Sequence, residues 1–99
     1  MPAPRPAKLS ETEIAAALAK FPEWKLQGGK LHREYKFPDF VAAFAFMTGA
    51  ALTAQAMDHH PEWFNVWSTV RVDLTTHDAS GVTKLDVELA AAMEKLAAR

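Results

Sequence analysis

The 99 residues include no cysteine, so disulfides, thiolate nucleophiles and Cys-ligated zinc are excluded together, and the fold has to stand on packing. Charge of one sign is lacking too. Against 11 Lys+Arg stand 12 Asp+Glu, a formal net charge of −1, which argues against bulk attraction to nucleic acid phosphates or an anionic membrane as the main task. Glycine is scarce, and its one pair, Gly28-Gly29, separates two strand-like runs rather than a strand and a helix, so no phosphate-cradling loop is present. Ser68 and Ser80 stand in no glycine-flanked elbow, which removes the usual serine nucleophile. The opening stretch, Met1 to Lys8, has no apolar core of the secretion-signal kind. It reads as a flexible, proline-stiffened tail (1–8) ahead of a single domain over 9–99, with a cytoplasmic address by default.

What the chain does hold is apolar: 49% of it is hydrophobic, enough for one modest core and no second one. Phe40 to Met57 runs without a charge for close to the roughly 20 residues of a membrane span. Its composition decides against that reading, because alanine dominates, Thr48, Gly49, Thr53 and Gln55 interrupt it, and Asp39 and Asp58 bracket it. The expectation is a deeply buried helix of a soluble domain.

Leu9-Ser10-Glu11-Thr12-Glu13-Ile14 carries a capping box, Ser10 with Glu13, inside a Leu9/Ile14 staple, and predicts a helix from about residue 11 that Pro22 closes. Its stripe is Ile14, Leu18 and Phe21. Trp24 and Leu26, then Leu31, Tyr35 and Phe37, alternate on either side of Gly28-Gly29 and predict a hairpin, with Arg33 on the apolar face in need of a partner. Pro38-Asp39 opens the long helix, whose stripes Phe40/Phe44/Met47/Ala51 and Val41/Ala45/Leu52/Ala56 are read as two buried faces, one for the sheet and one for a neighbouring subunit. Beyond Pro61, Phe64, Val66, Val70, Val72 and Leu74 alternate as one kinked strand or two short ones, which puts Trp63 and Trp67 together on the face away from the core. Thr83 and Asp86 cap a last helix with the stripe Leu85, Leu89, Met93 and Leu96. The order α-β-β-α-β-β-α predicts an α+β two-layer sandwich, a four-stranded antiparallel sheet with three helices on one face.

The chemistry concentrates at Asp58-His59-His60-Pro61-Glu62-Trp63 and at His77, which together hold three of the four histidines. Pro61 ends the long helix, leaving His59 in its last turn and His60 in the exit, while His77 closes the last strand run. Imidazole is the side chain best matched to moving protons near pH 7, a role typically worth about a hundred- to ten-thousandfold in rate. Two such groups at one sheet rim suit acid-base catalysis; a His pair that merely caps a helix is the plain alternative. Metal binding fits poorly, since adjacent histidines point apart and no i, i+4 His pair exists. Trp67 calls for a cover, either a planar ligand or a subunit interface. Asp86 reads as a structural capping residue and His32 as a surface residue.

With His59-His60-Pro61, Trp63, Trp67, His77 and Asp86 assembled, the sequence resembles the pterin-4a-carbinolamine dehydratases, also known as the dimerization cofactor of a homeodomain transcription factor. The likeness runs from Leu9 onward and includes Phe40, Phe44, Phe46-Met47-Thr48, the run Asp58 to Val66, and Thr76-His77 before a glycine-containing loop. It implies dehydration of 4a-hydroxytetrahydrobiopterin to quinonoid dihydrobiopterin plus water, with no metal and no organic cofactor, in tetrahydrobiopterin recycling for aromatic amino acid hydroxylation. By the same likeness His59 and His77 form the acid-base pair and His60 orients or assists. Asp58, Pro61, Trp63, Thr75, Thr76, Asp78 and Gln55 are the implied substrate contacts. Homodimers or homotetramers packed through the long helix are implied, with phenylalanine hydroxylase as the partner enzyme and no nucleic acid contacted directly. The rival expectation is a non-catalytic interaction module of the coactivator type. One departure stands out: where the family often has Glu, four residues before the first His, this chain has Gln55, which can hydrogen-bond the pterin or orient His59 but cannot act as a carboxylate. Replacing it, Gln55→Glu, is expected to displace the pH–rate profile of the dehydration, and an unmoved profile would contradict the assignment.

Overall fold

A computed structural model describes residues 6–98, and the order of elements is the expected one. Residues 1–5 of the expected tail fall outside the described residues; Leu9 is already tied down, its N–H donating to Val82 O at 2.8 Å. Helix α1, Glu11–Lys20, starts at the Ser10/Glu13 capping box, and Ile14 is its buried residue. Strands β1, Lys25–Gln27, and β2, Lys30–Lys36, form the hairpin around Gly28 and Gly29, whose φ values of 60° and 78° are those of a left-handed two-residue turn that glycine enters without steric cost. Asp39 caps α2, Phe40–Met57, by accepting from the Ala42 amide. Strands β3, Glu62–Val66, and β4, Thr69–Leu74, come next, and a short 3-10 turn, His77–Ala79, leads to α3, Lys84–Ala97.

The sheet is antiparallel throughout, in the order β1-β2-β4-β3. Its core face carries Leu31, Tyr35, Val70, Val72 and Leu74, closed over by Phe46 and Ala50 of α2 and by Leu89 and Met93 of α3. Burying each such aliphatic side chain stabilises by about 1.5 to 3 kcal/mol. Gly49 lets the helices close up: a Cβ there would stand 3.1 Å from a methyl of Leu96.

Two sequence expectations are corrected. The buried line of α2 is Ala43, Phe46, Ala50 and Ala54, not either of the two stripes of larger residues; Phe40, Phe44, Val41 and Leu52 are exposed, the last two by 75% and 70%. Only one face is therefore buried within the chain, by alanines that admit close approach. The helix passes the length and composition test for a membrane span, with that one face packed on β4 and α3. The second correction concerns the tryptophans. Trp67 and Ser68 form a two-residue turn, with Trp67 at φ 48°, and the register Trp63↔Val72 and Asn65↔Val70 pairs odd positions with even ones. Trp63 therefore lies on the core side and Phe64 faces out opposite Arg71, so Trp63 and Trp67 do not share an outer face.

Arg33 has found its partner. Its Nη1 donates to Glu94 Oε1, the oxygen that also accepts from Trp24 Nε1 at 2.8 Å and Tyr35 Oη at 2.7 Å, and the guanidinium lies over the Tyr35 ring at 4.0 Å. Burial pushes the Glu94 carboxyl up, but the bonds from Tyr35, Trp24 and Arg33 outweigh it and hold it below the usual range. The stabilisation is thus present above the ordinary carboxylate pKa and lost as pH falls through the depressed folded value. Glu94→Ala is expected to cost about 2 kcal/mol at pH 7, and urea unfolding at pH 7 and pH 3 checks it: the deficit shrinks at the lower pH, and an equal deficit at both would contradict the assignment.

Candidate active site

The long helix stops at Met57, short of the His59 expected in its last turn. Asp58 takes the left-handed conformation, φ 50° and ψ 43°, its N–H donates to Gln55 O at 3.1 Å, and the His59 N–H donates to Ala54 O at 3.0 Å. This is a Schellman termination, normally the work of glycine, and it turns the chain so that both His59 and His60 lie beyond the helix. Pro61 then starts the run into β3.

Beyond β4 the chain forms a tight loop. The Thr76 N–H donates to Gly81 O at 2.9 Å, and Ser80 takes φ 56°. The closure swings His77 back toward the helix exit. Between the two turns lies a cavity of about 230 Å³ lined by Asp58, His59, His60, Thr75, Thr76, His77 and Asp78. Two distant stretches thus contribute to one recess. Of the other expected contacts, Gln55 touches the site only through His60, its Oε1 lying 2.9 Å from His60 Nε2, rather than through His59. Pro61 and Trp63 are not among the lining residues. A larger cavity of about 650 Å³ elsewhere, lined in part by Arg33, Phe37, Phe46 and Leu96, holds no histidine.

The three imidazoles sit in unlike surroundings. His59 is 5% exposed, and its Nε2 lies 2.5 Å from Asp86 Oδ1. Asp86 is wholly buried; its Oδ2 accepts from Thr76 Oγ1 at 2.9 Å and from the Thr83 N–H at 2.8 Å, the latter being the expected capping bond. Thr83 Oγ1 lies 2.8 Å from Thr76 Oγ1. Since the Thr76 hydroxyl donates to Asp86, it accepts from Thr83. A carboxylate receiving donors on both oxygens leaves Nε2 of His59 as the hydrogen-bearing nitrogen and Nδ1 as the one able to take or give a proton. Such charge-assisted bonds each contribute about 1.5 to 3 kcal/mol.

His77, by contrast, is exposed, and its Nε2 lies 3.1 Å from Glu62 Oε2. The other oxygen of Glu62 accepts from Lys30 Nζ at 2.5 Å. That bond, foremost, and then His77 hold the Glu62 carboxyl below its ordinary value despite some burial. Neither Glu62 as a partner of His77 nor Asp86 as a partner of His59 was anticipated; the Asp86 capping pattern was the one visible signal. Among the described residues no group of three His, Cys, Asp or Glu is arranged to hold a metal ion.

This arrangement can do proton chemistry on a small polar molecule. One imidazole is fixed rigidly by a buried carboxylate, another loosely by an exposed one, and a third stands beside a neutral amide.

Comparison with known proteins points the same way. The family model described as Pterin 4 alpha carbinolamine dehydratase matches residues 7–96. A protein of Solibacter usitatus, named "Putative pterin-4-alpha-carbinolamine dehydratase", is 60% identical over 91 residues, 92% of this chain and 96% of that protein. One of Rhizobium rhizogenes with the same name is 55% identical over 94 residues, 93% of each chain. Among solved structures, the one titled transcriptional coactivator/pterin dehydratase from Brucella melitensis superposes with a TM-score of 0.88 at 44% identity, covering 91% of this chain and 98% of that one.

Proposed function

The chain belongs to the pterin 4 alpha carbinolamine dehydratase family, and from that premise we propose that it dehydrates 4a-hydroxytetrahydrobiopterin to the quinonoid dihydropterin by histidine acid-base catalysis. The observation that carries the reading is the single recess shared by His59, His60 and His77. Loss of water from the substrate breaks the bond between C4a and its hydroxyl oxygen and removes one proton from a ring nitrogen. The hydroxyl leaves as water only if a proton reaches its oxygen, so one group must give a proton while another takes one. His59 and His77 enter the recess from separate chain segments, each with Nε2 bonded to a carboxylate, which leaves Nδ1 of each ring for proton transfer. His60, held by Gln55, orients the ring system, with Thr75, Thr76, Asp58 and Asp78 as polar contacts around it. Pro61 and Trp63 act behind this wall: Pro61 sets the exit of His60, and Trp63 packs against the core beside β4. No step in this scheme calls for a metal or an organic cofactor. The product would serve tetrahydrobiopterin recycling for an aromatic amino acid hydroxylase, in the cytoplasm.

The exposed Phe40, Val41, Phe44 and Leu52 on α2 support self-association of the chain through that helix, since a row of large apolar side chains in water is the usual mark of an interface. The same row supports the rival reading, a non-catalytic interaction module, as does the coactivator half of the Brucella protein's title.

Stopped-flow measurement with freshly generated carbinolamine separates the two readings. The wild type is expected to accelerate dehydration over the spontaneous rate, and the double variant His59→Ala/His77→Ala to lose about a hundred- to ten-thousandfold of that acceleration; a wild type that leaves the spontaneous rate unchanged would leave the interaction module as the function. Light scattering tests the association. Val41→Glu/Leu52→Glu is expected to run at the 10.9 kDa of one chain while the wild type runs as a multimer, and a monomeric wild type would contradict it.

A further inference from the structure

Resting on the dehydratase reading, we propose that Glu62, anchored by Lys30, is a positioning residue for His77: it fixes which nitrogen of that imidazole faces the recess, and Lys30 holds the carboxylate in place for that bond. His77 begins a single 3-10 turn, and its side chain is 79% exposed, so packing does little to select a ring orientation. The bond to Glu62 Oε2 supplies that selection.

Glu62 is well placed for the task. As the first residue of edge strand β3, paired in register with Asp73 of β4, it starts where Pro61 has already restricted the backbone. Lys30, the first residue of β2, reaches past β4 to take Oε1. With one oxygen committed to the ammonium, the other is directed at the ring. A carboxylate oxygen accepts, so Nε2 of His77 carries the hydrogen and Nδ1 is left for proton transfer.

The same nitrogen is left free on His59, whose Nε2 bonds to Asp86. Both histidines thus follow one orienting rule, with carboxylates of opposite character: Asp86 is wholly buried and held by Thr76 and Thr83, whereas Glu62 is about 40% exposed and held by a lysine. Other charges around His77 are Asp78 beside it, Asp58 and His60 across the recess, and Asp73, which faces Lys30 and is bonded to His32.

An ion pair this exposed does little for stability. A merely structural Lys30–Glu62 pair would therefore leave catalysis and its pH dependence alone, and a positioning pair would not. Glu62→Gln removes the negative charge beside His77 while Lys30 remains, disfavouring the imidazolium; Lys30→Met leaves the Glu62 charge uncompensated, favouring it. The kcat/KM limb that reports His77 is expected to move by a few tenths of a pH unit toward lower pH in Glu62→Gln and toward higher pH in Lys30→Met, with unfolding midpoints unchanged. Glu62→Gln is also expected to lower kcat/KM, because nothing then selects the ring orientation of His77.

A second readout does not depend on turnover. Long-range ¹H–¹⁵N spectra of the free protein are expected to show the Nε2–H tautomer of His77 in the wild type and a mixture in Glu62→Gln. Wild-type inactivity would overturn the dehydratase reading while the tautomer still reports on Glu62. An active wild type with limbs that stay put or move in the same direction, or a tautomer indifferent to Glu62→Gln, would overturn the positioning role.

Discussion

The buried carboxylate of Asp86 is the interaction on which the site depends. An ionised carboxylate removed from water costs several kcal/mol unless donors surround it, and here they come from three segments: the Thr83 amide at the start of α3, the Thr76 hydroxyl after β4, and the His59 imidazole after α2. The positive end of the α3 dipole adds to them. Satisfying one charge therefore requires the exits of α2 and β4 to meet the first turn of α3. The recess at that junction follows from the same requirement, and His59 can line it only in the orientation Asp86 permits.

From this rigid corner the site grades outward into solvent. His59 is almost wholly enclosed, His60 hangs from the last turn of α2 through Gln55, and His77 stands on a single turn at the lip of the sheet. The three imidazoles thus differ in how firmly they are held, from a buried carboxylate at one end to an exposed one at the other. The rest of the fold serves the corner indirectly. Glu94 gathers Trp24, Arg33 and Tyr35 under α3, which fixes that helix over the sheet, and the alanine line of α2 brings its end close enough for the Schellman turn to present His59.

Local signals were the legible ones. Ser10 with Glu13, Thr83 with Asp86, Asp39 and the Gly28-Gly29 pair each carry their own hydrogen-bond or backbone reason, and all four mark real boundaries. The run from Asp58 to Val66 holds residues that the fold brings to one recess with His77. What misled was phase. A helix apolar on nearly every side offers no contrast from which to pick a face, and size was a poor guide because close packing selects alanine. Trp63 and Phe64 exchanged faces because the Trp67-Ser68 turn couples odd positions of β3 to even positions of β4, a parity that cannot be assigned before the turn is located. The partners of His59 and His77 lie 27 and 15 residues away with no local pattern to announce the contact.

In the proposed chemistry, imidazoles from two segments act on one bound ring through their Nδ1 atoms. The most direct measurement is a titration with a tetrahydropterin lacking the 4a hydroxyl, followed by the ¹⁵N resonances of the histidine side chains. The account predicts that Nδ1 of His59 and Nδ1 of His77 shift together along one binding curve. A ligand that saturates while either resonance stays in place would contradict it.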